Sequence, residues 1–377
     1  MAKTLGAGII GCGNISATYL RLAPLFKGFE FRACADINMA AAKLRAAEFH
    51  VKAQSVRDML NDEAIDIVVN LTVPAAHYKI SKQILEAGKH VYSEKPLVLS
   101  LAEGKDLMRI AAKRNLKVAS APDTFLGGSH QLARKAIDDG LIGKITSGTA
   151  HVMSSGMEHW HPNPDFFFKP GGGPVLDLGP YYIGNLINLV GPVKRVAALS
   201  CMAHRVRTIK SEPRKGEKIT VRTPTTVHAL LEFASGAQVT LSASWDVHAH
   251  RHQPMELYGT EGSLFVPDPN FFGGEVMMAG SAAVIKPLAE WVHPLGIPNQ
   301  DTPHGNVANY RAAGLADMAQ AIIQKRDARC SIARALHAVD VMTAILKSGE
   351  TGKFVELKTT CTRPRALGVE EAKALLK

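Results

Sequence analysis

The chain has 377 residues, with 44 Lys/Arg against 34 Asp/Glu and a formal net charge of +10. Hydrophobic residues make up 46% and charged residues 21%, ordinary globular usage that excludes a disordered or fibrous chain. The length favours two domains with ordinary cores. Five scattered cysteines, never in a C-x-x-C spacing, exclude a disulfide framework and a thiolate zinc site and fit a reducing cytoplasm.

Thr4–Leu20 carries no charge, but Gly6, Gly8, Gly11 and Gly13 interrupt it, which suits a strand and tight turn better than a signal core. Other uncharged runs also contain helix breakers, so a soluble protein with no membrane partner is expected. Lys194–Arg222 gathers nine Lys/Arg and two Glu. No aromatic residue interleaves these cations, as a nucleic-acid surface favours, so a solvated loop turning at Pro213 and Gly216 is expected there.

In chain order, Leu5–Ile10, Phe29–Ala35, Ile65–Leu71, Lys89–Tyr92 and Lys117–Ala121 read as short buried strands. Helices are expected between them, at Ile15–Phe26, Met39–Phe49, Ala75–Ala87 and Leu101–Arg114, the last opened by a Ser100/Glu103 capping box. Alternation of strand and helix predicts a doubly wound parallel sheet over residues 1–122. From 123 to 377 the pattern changes to an α+β domain with a large, mainly antiparallel sheet. Its helices are expected at His130–Asp139, Leu178–Leu189 (N-capped by Asp177), Val307–Ile323 and Ser331–Leu346. Its strands are expected at Lys144–Met153, Val193–His204, Thr223–Phe233, Ala237–Trp245, Met255–Tyr258 and Ser263–Val266.

Gly11-Cys-Gly13-Asn14-Ile15-Ser16 follows the first strand and opens the first helix. The first glycine makes the turn, and the second lets main chain approach a pyrophosphate at the helix N-terminus. Asp36, 20 residues past Ser16, ends the second strand where it can accept hydrogen bonds from an adenosine ribose. A Rossmann dinucleotide site follows, with NAD favoured over NADP. Asp36 repels a 2′-phosphate and neither Ile37 nor Asn38 is a cation, which leaves Arg32 and Lys43 as the residues able to reverse that preference.

Two further motifs follow: Ser93-Glu94-Lys95-Pro96, and Gly171-Gly-Gly173-Pro-Val-Leu-Asp177-Leu-Gly-Pro-Tyr181. With the glycine turn, these make the chain resemble the Gfo/Idh/MocA oxidoreductases from about residue 5 to 348. The resemblance implies an N-terminal Rossmann domain and a C-terminal α/β domain whose sheet often forms a dimer face, hence a homodimer or homotetramer. It also implies oxidation or reduction of sugars and polyols with NAD(P). By motif, Lys95 is the expected catalytic lysine and Asp177 orients substrate. Tyr181 stands where many members have histidine, as in the branch resembling glucose–fructose oxidoreductase, and is the expected proton carrier, with Tyr182 the lesser choice. A cation near the phenol is needed for that role, since free tyrosine titrates near ~10. Glu94 joins the expected cofactor contacts. So do Thr72 and His77, the surviving parts of a T-P-N-x-x-H motif that reads Thr72-Val-Pro-Ala-Ala-His77 here.

Asp123 either binds sugar hydroxyls or makes a turn. Trp160, His161 and Asn163 combine an aromatic face with polar groups, a sugar-gripping combination; His304 is a weaker candidate. His248, His250 and His252 alternate as on one face of a strand, suited to a solvated or intersubunit surface better than to a metal. The expected function is hydride transfer between NAD and a carbinol carbon of a sugar or polyol, with an aldose 1-dehydrogenase acting on a pentose or apiose-like sugar suggested by resemblance alone. Two alternatives stay open: a tightly bound NAD assisting glycoside cleavage or epimerisation, and a non-catalytic NAD-binding regulator.

Overall fold

The first strand, β1 (Leu5–Ile10), is buried at every position, as a strand covered on both faces must be. A computed structural model describes residues 4–288, 291–302 and 305–377 of the chain. They form two compact units. The first runs to Gly128 and takes up Val292–Val339 and Pro364–Lys377; the second comprises Ser129–Trp291 and Asp340–Arg363. The division therefore differs from a single cut after residue 122, because two later segments return to the first unit.

In the first unit β1 is joined by β2 (Phe29–Ala35), β3 (Lys52–Gln54), β4 (Ile67–Asn70), β5 (His90–Ser93) and β6 (Val118–Ser120). The sheet is parallel, in the order β3-β2-β1-β4-β5-β6. Strand order reverses between β1 and β4, which opens a ligand crevice beyond their carboxyl ends. The helices are α1 (Asn14–Leu22), α2 (Met39–Phe49), α3 (Val56–Asn61), α4 (His77–Glu86) and α5 (Leu101–Lys113). Side-chain caps start three of them. Asn38 accepts from the Ala40 amide, Ser55 from that of Asp58, and Ser100 forms the expected capping box with Glu103.

After α6 (Gly128–Asp138) come β7 (Ile145–Met153), α7 (Pro174–Asp177) and α8 (Gly179–Leu189). Then follow β8 (Val193–Cys201), β9 (Val206–Thr208), β10 (Lys218–Thr220), β11 (Thr226–Phe233), β12 (Gln238–Ser244), β13 (Met255–Gly259), β14 (Ser263–Val266), β15 (Met277–Ala279) and β16 (Lys286–Pro287). β17 (Gln300–Thr302), β18 (Gly305–Val307), α9 (Ala313–Ile323) and the start of α10 (Ile332–Thr351) belong to the first unit. β19 (Val355–Glu356) lies in the second unit and α11 (Val369–Leu375) in the first. The second unit's main sheet has nine strands in the order β16-β15-β14-β13-β7-β12-β11-β8-β19. Every pairing is antiparallel except β7 with β12, so the expected mainly antiparallel sheet is present. Along β11 buried and less buried residues alternate, as in a strand with one covered face. On the other face Leu199, Leu230 and Phe354 are exposed around a shallow cavity that His228, Thr240 and Ser242 also line.

Two expectations give way here. The basic stretch is a solvated turn only around Pro213 and Gly216: on either side of it β9 and β10 pair as a hairpin, and four of its cations meet carboxylates, Lys194 beside Glu232 among them. Arg207, 7% exposed in its side chain, bridges Glu158 and Asp246; Arg214 pairs with Asp165 and Glu217, and Arg195 with Glu232. Residues 247–254 form no strand, so His248, His250 and His252 share no strand face. The His252 ring instead stacks on His151, centroids 4.1 Å apart.

The late segments are bound into the first unit by charge and main chain. Ser120 N–H donates to the Cys330 carbonyl, at the sheet edge formed by β6. Asp317 on α9 is wholly buried and accepts from Arg329 Nη1 (2.6 Å), Arg326 Nη2 (2.8 Å) and the Arg329 amide (2.6 Å). Arg329 also donates to the carbonyls of Arg365 and Ala366. After α11, Lys27 N–H donates to the Leu375 carbonyl and Lys377 N–H to that of Leu25. No helix among the described residues is long and apolar enough to cross a membrane.

Candidate active site

The dinucleotide turn lies in the first unit. Gly11 has φ +105°, and a Cβ there would sit 2.6 Å from the carbonyl of Leu71. Only glycine suits that position. Gly13, the N-cap of α1, is exposed, and a Cβ on it would meet no protein atom within 4 Å. Asn14 beside it is exposed and Ile15 half-buried, and no side chain caps this helix end. Its amides are therefore open to an anion, and the turn fits a pyrophosphate. Asp36 Oδ2 accepts from the Cys12 amide (2.7 Å) and Oδ1 from that of Asn38 (2.8 Å). Each carboxylate oxygen retains acceptor capacity for a ribose hydroxyl.

The two glycines separate strain from binding. Gly11→Ala is expected to cost about 1–3 kcal/mol of stability, since it needs both a left-handed φ and a main-chain shift. Gly13→Ala is expected to leave the melting temperature nearly unchanged yet weaken NAD binding, because its methyl occupies space meant for the ligand. Thermal melts beside calorimetric NAD titrations check both; a Gly13→Ala protein binding NAD as well as wild type would refute the assignment.

Behind the turn, a chain of hydrogen bonds connects β4 to the Glu94-Lys95-Pro96 segment. Asn70 Oδ1 accepts from Thr72 Oγ1 (2.7 Å), and Asn70 Nδ2 donates to the His77 carbonyl and Ser81 Oγ. His77 is 1% exposed, its Nδ1 2.7 Å from the Pro96 carbonyl and its Nε2 2.9 Å from that of Thr72. Both ring nitrogens are thus occupied by main chain. His77, expected among the cofactor contacts, is placed as a clamp between the Thr72 turn and the residue after Lys95. Glu94 accepts from the Tyr19 hydroxyl (3.1 Å) through Oε1 and from the Lys95 amide (2.9 Å) through Oε2. The main chain of Lys95 is therefore held on both sides.

Asp123 resolves toward structure. It is 2% exposed, and its Oδ2 accepts from the amides of Ala312 (3.1 Å) and Gly314 (2.9 Å) at the start of α9. Burial pushes its carboxyl up to about 6, against the pull of the Gly314 amide and Arg311. A carboxylate at a helix N-terminus explains the residue without a sugar.

In the second unit Asp177 is not the N-cap of α8. It ends the turn α7, Leu178 occupies the cap position, and no side chain caps α8. Main-chain bonds from Asp177 N–H to the Gly173 carbonyl and from Tyr181 N–H to that of Leu178 keep the path close to helical. Asp177 and Tyr181, four residues apart, accordingly lie one turn from each other on one side. The neighbouring phenol is diverted: burial, and next the Asp268 carboxylate to which it hydrogen-bonds, push Tyr182 well above its ordinary range. His161 lies close enough to Asp177 to feel its charge, although burial outweighs this and holds the imidazole below its usual range. Its ring meets Trp160 edge-on at 5.3 Å and Phe167 at 5.2 Å. Trp160 is 63% exposed, and Asn163 N–H donates to His161 Nδ1 at 3.0 Å. A part-open aromatic face therefore stands beside the Asp177 helix turn. His304 lies outside the described residues. Among the described residues no cluster of His, Cys, Asp and Glu could hold a metal ion.

Nothing in the sequence pattern singled out Arg45, whose guanidinium reaches the Gly13 carbonyl. The available signal was its place between Ala42 and Ala46 on the buried side of α2.

Comparison with known proteins agrees with the fold. Residues 5–121 match the oxidoreductase-family model for an NAD-binding Rossmann fold, and residues 130–265 match the GFO/IDH/MocA C-terminal domain. The chain is 27% identical to D-xylose dehydrogenase of Paenarthrobacter nicotinovorans, over 65% of this chain and 64% of that one. It is 26% identical to levoglucosan dehydrogenase of Pseudarthrobacter phenanthrenivorans, over 70% and 73% respectively. An uncharacterized oxidoreductase of Schizosaccharomyces pombe is 32% identical, but over only 42% of either chain. In fold, a levoglucosan dehydrogenase solved in complex with NADH matches with a TM-score of 0.81 at 23% identity, covering 95% of this chain and all of the other. The first unit is an NAD-binding Rossmann domain, and the chain belongs to the GFO/IDH/MocA oxidoreductase family.

Proposed function

We propose that this protein is an NAD-dependent dehydrogenase that oxidises a carbinol carbon of a sugar or polyol, with an aldose among the first substrates to try. The observation that carries the proposal is the pairing of Asp177 and Tyr181 one helical turn apart, beside His161, in a chain whose first unit binds NAD. The names of the D-xylose and levoglucosan dehydrogenases support the substrate class.

Gly11, Gly13, Asn14 and Ile15 hold the pyrophosphate, Asp36 the adenosine ribose, and Thr72 and Glu94 line the same crevice. NAD bound there supplies the hydride acceptor. Tyr181 takes the hydroxyl proton of the substrate on its phenolate oxygen. The Lys95 ammonium steadies negative charge on the substrate oxygen. Asp177 accepts a hydrogen bond from a neighbouring hydroxyl, while Trp160, His161 and Asn163 give the sugar an apolar face and polar partners. Asp123 and His77 act by positioning. Assembly as a homodimer or homotetramer would cover Leu199, Leu230 and Phe354 on the second unit's sheet.

The test is NADH absorbance with a panel of pentoses, hexoses and inositols. Turnover is expected with at least one, and Tyr181→Phe is expected to lower kcat about 100-fold, within the usual range for losing a positioned base. Tyr182→Phe, its hydroxyl engaged by Asp268, is expected to stay near wild type. Product formation without net NADH would overturn the dehydrogenase reading, and the opposite ranking of the two tyrosines would overturn the role of Tyr181.

A further inference from the structure

The loop between β7 and α7 carries one polar group that the fold fixes in place and leaves unused. Three aromatic rings meet the His161 imidazole edge-on, Trp160 at 5.3 Å, Phe166 at 5.4 Å and Phe167 at 5.2 Å between ring centres. The His161 main chain is tied on both sides. Its amide donates to the Met157 carbonyl (3.0 Å), and its carbonyl accepts from Ser211 Oγ (2.6 Å) in the β9–β10 hairpin. The same hairpin holds the start of the loop: the Lys210 amide donates to the Glu158 carbonyl (2.8 Å), and Arg207 donates to the Ser155 carbonyl (3.2 Å) and the Glu158 carboxylate (2.6 Å). Pro162 narrows the backbone freedom of His161 further.

This placement decides which ring nitrogen carries the proton. Nδ1 lies 3.0 Å from the Asn163 amide, a group that can only donate, so Nδ1 is the acceptor. A neutral imidazole has a single N–H, which the contact assigns to Nε2. The ring stays neutral because burial holds it below its ordinary range, and a second proton on Nδ1 would face the Asn163 N–H. Nε2 has no protein partner among the described residues, and protein does not seal it from solvent. His161 therefore offers a donor, while its lone pair is engaged by Asn163. Asp177, whose charge His161 feels, has the opposite character and accepts when ionised. A sugar brings hydroxyls, each able to donate and to accept, and so can satisfy both.

We propose that His161 is a specificity-determining residue that donates from Nε2–H to a non-reacting hydroxyl oxygen of the substrate, complementing Asp177 and taking no proton itself. The inference rests on the dehydrogenase reading given above.

Nitrogen NMR of isotope-labelled histidine, with the His161 signals located by their absence in His161→Phe, reads the tautomer without any sugar. The proton is expected on Nε2, and a proton on Nδ1 overturns the proposal. Kinetics test the contact with whichever pentose, hexose or inositol turns over in wild type. His161→Phe, which keeps a packed ring, is expected to raise KM about tenfold with kcat within about threefold, the pattern of a hydrogen bond made equally in ground and transition states. His161→Gln, whose amide nitrogen can donate from a similar place, should recover most of that loss. One monodeoxy analogue of the sugar should lose a similar factor in wild type and nothing further in His161→Phe. A kcat loss of about 100-fold or more in His161→Phe would mark the imidazole as an acid or base and overturn the proposal. So would an unchanged KM, or losses that add for every monodeoxy analogue. If wild type turns over none of these sugars, the dehydrogenase reading has failed and the role of His161 with it. Turnover to which His161→Phe is indifferent defeats the role of His161 alone.

Discussion

Replacement of Lys95 by methionine is expected to lower kcat by about 10³-fold, with NAD affinity kept within a few-fold. The ammonium is asked to stabilise charge on the substrate oxygen. Glu94 holds the Lys95 amide, and His77 lies against the Pro96 carbonyl, so the backbone of this segment is fixed independently of the lysine side chain. The loss therefore reports chemistry. Stopped-flow NADH formation measures the loss. A methionine variant keeping more than about a tenth of wild-type kcat would end the assignment, since losing a positioned catalytic group costs ~10²–10⁴.

The other large effect concerns stability. Asp317→Ala is expected to cost about 3–5 kcal/mol, the range for breaking a buried ion pair by removing one partner. Arg329 is 2% exposed and would remain as a buried cation paired with Glu371 alone, having lost the acceptor of its Nη1 and of its own amide. Arg326, 23% exposed, would move into water at little cost. Urea unfolding of wild type, Asp317→Ala and the double variant Asp317→Leu/Arg329→Met separates the two contributions. The double variant should recover part of the loss, because it removes the buried cation left with a single carboxylate partner. A single-variant loss below about 1 kcal/mol would show the pair to be worth no more than a surface bridge.

The parallel sheet of the first unit was legible because its strands are apolar throughout and divided by long helices. β3 and α3 escaped notice. Lys-Ala-Gln is three residues of partly exposed edge strand with no apolar alternation to betray it, and α3 has only six residues. The return of Val292–Val339 and Pro364–Lys377 to the first unit was invisible for a different reason. It depends on contacts such as Asp123 with Ala312, and Ser120 with Cys330, whose partners sit far from any shared local pattern. At the site, the motifs gave residue identities but not their partners. Sequence marked Asp177 as a cap, whereas a helical turn before α8 gives the cap position to Leu178. Asp123 was balanced between sugar and turn until the amides of α9 claimed it. Arg45 carries no signal in the sequence because a basic residue on an alanine-rich helix resembles ordinary surface, and its reach toward Gly13 is a tertiary fact.

The tie between the end of the chain and the segment after α1 bears on how this molecule is made. Residues 129–291 leave the ribosome as one uninterrupted stretch, whereas the N-terminal sheet emerges earlier and must wait. Its hydrogen bonds from Lys27 to Leu375 and from Lys377 to Leu25 form only after every residue of the second unit has been made. The nucleotide-binding half is thus begun first and closed last, which makes it the portion most exposed to chaperones and proteases during synthesis.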